Sequence, residues 1–97
     1  MITSNQMRAA RALLGIDQRT LAEISGLSVP TIQRMEASEG VVRGNVDSLV
    51  KLIEALAAAG VVLISAGAES RVGGRGVRIK DALPEAKPSA NPADSAE

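Results

Sequence analysis

Cysteine and histidine are both absent from this chain, and so are phenylalanine, tyrosine and tryptophan. Without cysteine there is no disulfide and no thiol nucleophile. Without histidine there is no imidazole base, and without both the usual zinc and transition-metal ligand sets are missing. No metal site and no cofactor motif is expected. The apolar residues, 45% of the 97, are therefore aliphatic or methionine, and any core they build is thin. A chain of this length forms one domain, and a domain so small often relies on a second subunit. Long apolar runs are missing as well. The longest uncharged stretch, Ala55 to Ala68, falls short of the ~20 residues a membrane helix needs. The opening MITSNQMRAAR lacks the apolar stretch of a secretory signal, so a cytoplasmic protein without a membrane partner is expected.

The net charge of zero conceals a division. Residues 1–80 carry ten basic against seven acidic groups, whereas residues 81–97 set Lys87 against Asp81, Glu85, Asp94 and Glu97. Most of the cations are arginine, which suits bidentate contacts to phosphate or guanine. The last stretch reads DALPEAKPSANPADSAE, with Pro84, Pro88 and Pro92 at every fourth position. That spacing forbids a continuous helix, and the small polar residues between offer little to bury. Residues 81–97 are expected to be a disordered acidic tail.

Ahead of the tail, apolar residues recur with helical spacing. Met7, Ala10, Leu13 and Leu14 mark a helix over 5–14, and Leu21, Ala22 and Ile24 a second over 18–25. Ile32 and Met35 mark a third over 29–36. Asn45 or Asp47 can cap a fourth that carries Leu49, Leu52, Ile53 and Leu56 and ends at Gly60. Val61-Val62-Leu63-Ile64-Ser65 is β-branched and short, as a strand would be, and Val77 to Lys80 alternates apolar with basic. The glycines between them, including Gly73-Gly74-Arg75-Gly76, read as a hairpin turn. A phosphate-binding loop would need a following Lys-Ser/Thr and a helix. The division expected is a helical domain over 1–60, a β-hairpin over 61–80 and the tail.

The segment DQRTLAEISGLSVPTIQRME, residues 17–36, has the logic of two helices joined by a tight turn. Asp17 can cap the first helix, and small Ala22 permits a close crossing. Gly26 can adopt the positive φ of the turn, and Ser28 can cap the next helix. Pro30 then falls in that helix's first turn, where its missing N–H does no harm. This segment resembles the Xre, or lambda-repressor-like, helix-turn-helix regulators. The resemblance rests on Gln18, Leu21, Ala22, Gly26, Ser28, Ile32 and Glu36, with Arg11 seven residues before Gln18, and spans about residues 5–58.

The resemblance implies a mainly α, four- to five-helix lambda-repressor-like domain that binds double-stranded DNA through the major groove. It places Ser28, Val29, Pro30, Thr31, Gln33 and Arg34 as base readers. Arg34 is the foremost candidate, because a guanidinium spans guanine O6 and N7. Val29 and Pro30 stand where many relatives are polar, and suggest contact with thymine methyl groups. Gln18 matches a phosphate ligand of the family. The N-terminus of the helix that begins near Asn45, with Arg43 just before it, is a second phosphate anchor on physical grounds, and Arg19 and Arg8 are further cations that could equally be solvated. Arg11 and Glu36 are expected to form a structural ion pair.

The hairpin lies outside that shared domain. A strand apolar on both faces wants cover on both, and an isolated hairpin is barely stable. Val61, Val62, Leu63, Ile64, Val77 and Ile79 are therefore expected to pair with the same residues of a second chain. The function expected is a homodimeric transcriptional repressor reading a pseudo-palindromic operator, not an enzyme. The alternative is an antitoxin or anti-activator that binds a protein partner through its hairpin or tail.

Overall fold

In the computed structural model residues 2–80 are described, so the acidic tail lies outside the described residues. Four helices are formed among them: α1 (Ser4–Leu14), α2 (Gln18–Ser25), α3 (Val29–Glu36) and α4 (Val46–Ala58). Each starts where a short polar side chain can satisfy an orphan amide. Thr3 and Gln6 form a reciprocal capping box on α1. The Gln6 N–H donates to Thr3 Oγ1 (3.1 Å) and the Thr3 N–H to Gln6 Oε1 (2.9 Å). Asp17 caps α2 by accepting the Thr20 N–H at 2.8 Å, which holds its carboxyl below the usual range. Asn45, not Asp47, caps α4 through the Ser48 N–H at 2.8 Å. Asp47 sits in the first turn, where a negative charge favours the helix dipole, and pairs with Lys51 at 3.3 Å.

The core is the aliphatic cluster the spacing indicated, with Met7, Ala10, Leu21, Ala22, Ile32, Met35, Leu49, Leu52 and Leu56 all buried. Ala22 is buried on α2, which packs against both α3 and α4. Two members escaped the periodicity: Ile2 and Val42. They come together because the chain start pairs antiparallel with the α3–α4 loop. The Ser4 N–H donates to the Gly40 carbonyl (2.8 Å), and the Val42 N–H to the Ile2 carbonyl (3.0 Å). A bridge of one residue pair has no period to detect. Leu13, counted on the apolar face of α1, is 53% exposed, and Leu27 is only half-buried.

The expected hairpin is not formed: residues 61–80 contain no strand. Val61 instead continues the end of α4, its N–H donating to the Leu56 carbonyl at 2.9 Å. Val61 and Leu63 lie against the helical core of their own chain, and the Ile64 carbonyl accepts the Gln6 side-chain amide at 3.3 Å. Leu63 and Ile64 also form one wall of an open groove whose other wall includes Ile2 and Ile53. Residues 77–80 are exposed, and the hydrogen bond from Arg78 to the Ala68 carbonyl (2.7 Å) joins them to the preceding loop. Two lone strands have little to gain from pairing in water, whereas docking on α1 and α4 removes apolar surface from it.

Ile2 is a test of this packing. Ile2→Ala should cost about 2–4 kcal/mol through lost burial and the cavity left behind. Urea unfolding followed by far-ultraviolet circular dichroism measures it, and an unmoved midpoint would show that the chain start does not belong to the core.

Candidate nucleic-acid interface

The turn between α2 and α3 is built from backbone geometry. Gly26 has φ 75°, a left-handed conformation that glycine adopts without strain. The Ala22 carbonyl accepts both the Gly26 N–H (3.0 Å) and the Leu27 N–H (3.1 Å), ending α2 abruptly. Ser28 restarts the chain as a helix: its Oγ accepts the Thr31 N–H at 3.2 Å and lies 2.8 Å from Thr31 Oγ1. Pro30 occupies the first turn of α3.

The outer surface of α3 divides accordingly. Ser28, Pro30, Gln33 and Arg34 are exposed. Thr31 is half-buried, with its hydroxyl joined to Ser28. Val29 packs partly against the core, so of the apolar pair only Pro30 is exposed.

Behind that surface Glu36 is 5% exposed, and two other helices converge on it. Arg11 of α1 grips the carboxylate with two hydrogen bonds, Nε to Oε2 at 2.6 Å and Nη2 to Oε1 at 2.9 Å. Gln18, first residue of α2, donates its side-chain amide to Oε1 at 3.1 Å. Arg11 also reaches the Ile16 carbonyl at 3.3 Å, and Arg8 donates to the Glu36 main-chain carbonyl. Burial pushes the Glu36 carboxyl up, but the hydrogen bonds from Arg11 and Gln18 and the nearby positive charges of Arg11 and Arg8 together outweigh it. The carboxyl is held below its ordinary value. The same hydrogen bonds to Glu36 hold the Arg11 guanidinium above its own. Gln18 therefore spends one amide hydrogen on Glu36 while standing at the N-terminus of α2.

The cations distribute around α3. Arg34 of α3 and Arg43 of the α3–α4 loop, both exposed, line one open groove with Ala37, Ser38, Glu39 and Gly44. The loop is held in this position by two contacts. The Arg43 N–H donates to Ser38 Oγ at 3.1 Å, and Gly44 lies so close to α3 that a Cβ there would stand 3.2 Å from Met35 Cε. Asn45 is exposed, with its Oδ1 committed to capping α4. Arg19 is exposed on α2. The parts that sequence reasoning missed are Ser38, which fixes the loop, Glu39, which lines the groove, and the carbonyl partner of Arg8. Their segment has no repeating pattern, and its geometry arises from the pairing of residues 2–4 with 40–42. Among the described residues no three acidic side chains gather as a metal site would require.

A capped, exposed short helix delivered by a tight turn, with arginines along its border, is a helix-turn-helix arrangement. A helix-turn-helix family model matches residues 7–57, more than half of the chain, and the chain belongs to that Xre/lambda-repressor-like family of DNA-binding transcription regulators. No curated protein and no solved structure matches it. Among the described residues no helix is long and apolar enough to cross a membrane.

The Glu36 network sets a pH dependence. Because its folded-state pKa is depressed, its contribution to stability is complete above the ordinary value of 4.5 and is lost as pH falls through the folded value. Glu36→Gln should remove that acid-side loss, flattening the fall in unfolding free energy below about pH 4.5. Arg11→Ala, which strands a buried carboxylate, should cost about 2–4 kcal/mol at neutral pH. Urea titrations between pH 3 and 7 compare the variants, and parallel profiles for parent and Glu36→Gln would refute the assignment.

Proposed function

We propose that this regulator is a homodimeric repressor that works in the cytoplasm, at the nucleoid. It reads a pseudo-palindromic operator with α3 in the major groove and blocks transcription by occupancy. The observation that carries the proposal is the unobstructed outer surface of α3. Pro30, Gln33 and Arg34 are exposed together, and Arg43 lies across the groove from Arg34. Arg34 reaches base edges, and Gln33 reads adenine or meets a phosphate. Ser28, Val29, Pro30 and Thr31 form the leading end, in which Pro30 meets thymine methyl groups. Arg43, Arg19, Gln18 and the amides at the start of α4 beside Asn45 hold phosphates, fixing register without reading sequence.

Assembly uses the segment after α4. Among the described residues the backbone N–H groups of Val62, Leu63 and Ile64 make no main-chain hydrogen bond, so this extended stretch is an open edge. Val62, Val77 and Ile79 are exposed, the last two at 80% and 62%. Val61, Val62, Leu63 and Ile64 of two chains pair edge to edge, with Val77 and Ile79 closing over them, while Val61 and Leu63 keep their inner packing. Two readers related by a twofold axis then meet half-sites about one helical turn, ~34 Å, apart, and tethering makes the second engagement intramolecular.

Selection from random duplex DNA with the purified chain tests binding, palindromy and spacing together. Arg34→Ala should cost about 1–3 kcal/mol on the selected site and relax preference at one position. Arg43→Ala should weaken all duplexes alike and lower the salt slope by about 1. Intact discrimination in Arg34→Ala would overturn the reader assignment. A stable monomer at micromolar concentration in sedimentation would overturn the dimer.

A further inference from the structure

The charge of the described chain is unevenly placed. Over residues 2–60 the cations Arg8, Arg11, Arg19, Arg34, Arg43 and Lys51 are matched in number by Asp17, Glu23, Glu36, Glu39, Asp47 and Glu54. The helical domain is therefore neutral, and one of its arginines, Arg11, is committed to Glu36. The excess of three positive charges lies in residues 61–80, where Arg71, Arg75, Arg78 and Lys80 oppose Glu69. Every residue from Ser65 to Lys80 is exposed. Glu69 stands 3.4 Å from Arg71, both side chains about four-fifths exposed, a pair of little strength in water. Among the described residues no other carboxylate lies within ion-pair distance of Arg75 or Arg78.

A neutral helix-turn-helix domain is a weak electrostatic ligand for a duplex, since sequence-independent affinity comes from the phosphates a protein neutralises. We infer that residues 69–80 form a cationic arm, with Arg71, Arg75, Arg78 and Lys80 binding the phosphate backbone of the duplex beside the site that α3 reads. The inference rests on the DNA-reading assignment of α3 and adds a second nucleic-acid contact outside the helical domain. Its root is fixed: Val61 and Leu63 pack on the core, and Gln6 holds the Ile64 carbonyl. Beyond that root lie sixteen exposed residues, which span about 50 Å when fully extended, more than one helical turn of duplex, once the exposed hydrogen bond from Arg78 to the Ala68 carbonyl opens. The glycines Gly67, Gly73, Gly74 and Gly76 leave the backbone free to follow phosphates. From Val77 to Lys80 apolar and basic residues alternate in the sequence and all four are exposed, so assembly and phosphate contact draw on different side chains.

The test is the full chain carrying Arg71→Gln, Arg75→Gln, Arg78→Gln and Lys80→Gln, compared with the parent by fluorescence anisotropy on a labelled selected duplex and a labelled random one, from low to high salt. The expected result is a tenfold or greater loss of affinity for both duplexes at low salt. The slope of log K against log salt should be shallower by about 3, with the ratio between the duplexes unchanged. A companion with the three arginines replaced by lysine should keep the parent's slope, since charge and not guanidinium shape carries the effect. An unchanged slope in the glutamine variant overturns the arm while leaving α3 as reader. A fall in discrimination with loss of the dimer in sedimentation also overturns it, because the cations would then act through assembly. A parent chain that binds neither duplex overturns the reading of α3 itself, and the arm with it.

Discussion

The buried carboxylate of Glu36 is where the construction of this protein is decided. An eight-residue helix has almost no stability by itself, because the first turn fixes several residues for one hydrogen bond. α3 has only that length and must still present its side chains in a fixed orientation. The carboxylate near its end is taken by Arg11 from α1 and Gln18 from α2, so three helices are pinned at one point. Burying a charge is costly unless its lone pairs are filled, and here donors from two helices fill them. Ser28 fixes the opposite end of α3 by capping it. Between those two ends Ile32 and Met35 anchor the inner face, leaving the outer face free to be defined by Pro30, Gln33 and Arg34.

That polar fixing matters more here than it would in a chain with aromatic residues. A single buried tryptophan or phenylalanine covers an area that several aliphatic side chains must supply together. The core is a single layer of leucine, isoleucine and methionine between short helices, extended at one border by Ile2 and Val42 and at another by Val61 and Leu63. Each extension comes from chain outside the helices, and each is held by main-chain or amide hydrogen bonds: the bridge of Thr3 with Val41, and Gln6 with Ile64. Gln6 takes part in both regions, since it also closes the cap on Thr3. The start of the chain, the start of α1 and the segment after α4 therefore support one another.

Much of this was legible in the sequence because it follows from local rules. The ends of α2 and α3 were readable from Asp17, Gly26, Ser28 and Pro30, whose conformational preferences act within a few residues. The pairing of Arg11 with Glu36 was legible only through resemblance, since nothing in local spacing joins residues 25 apart. Ile2, Val42 and the groove around Arg34 and Arg43 were illegible for a related reason. They depend on a non-helical contact between the chain start and a loop, and neither partner has a period. The hairpin failed differently. Apolar residues on both sides of Val61–Ile64 suggested two covered faces, but the structure covers one, with the core of the same chain, and leaves Val62 exposed. The sequence pattern carries the demand for burial and not the identity of what meets it.

The segment after α4 combines three kinds of residue. Val61 and Leu63 face inward and complete a core too small to close by helices alone. Val62 is exposed, and among the described residues the amides of Val62, Leu63 and Ile64 make no main-chain hydrogen bond. The exposed remainder carries the positive charge that the helical domain lacks. Such a division explains why the helical domain can be electrostatically neutral. Base reading in the major groove depends on donor and acceptor geometry at a few side chains, and a strongly cationic domain would bind every duplex and blur that discrimination. With the cations on an exposed arm outside the rigid reader, as proposed above, attraction to phosphate and recognition of bases would be set by different residues, the first by charge number and the second by the fixed orientation that Glu36 imposes on α3.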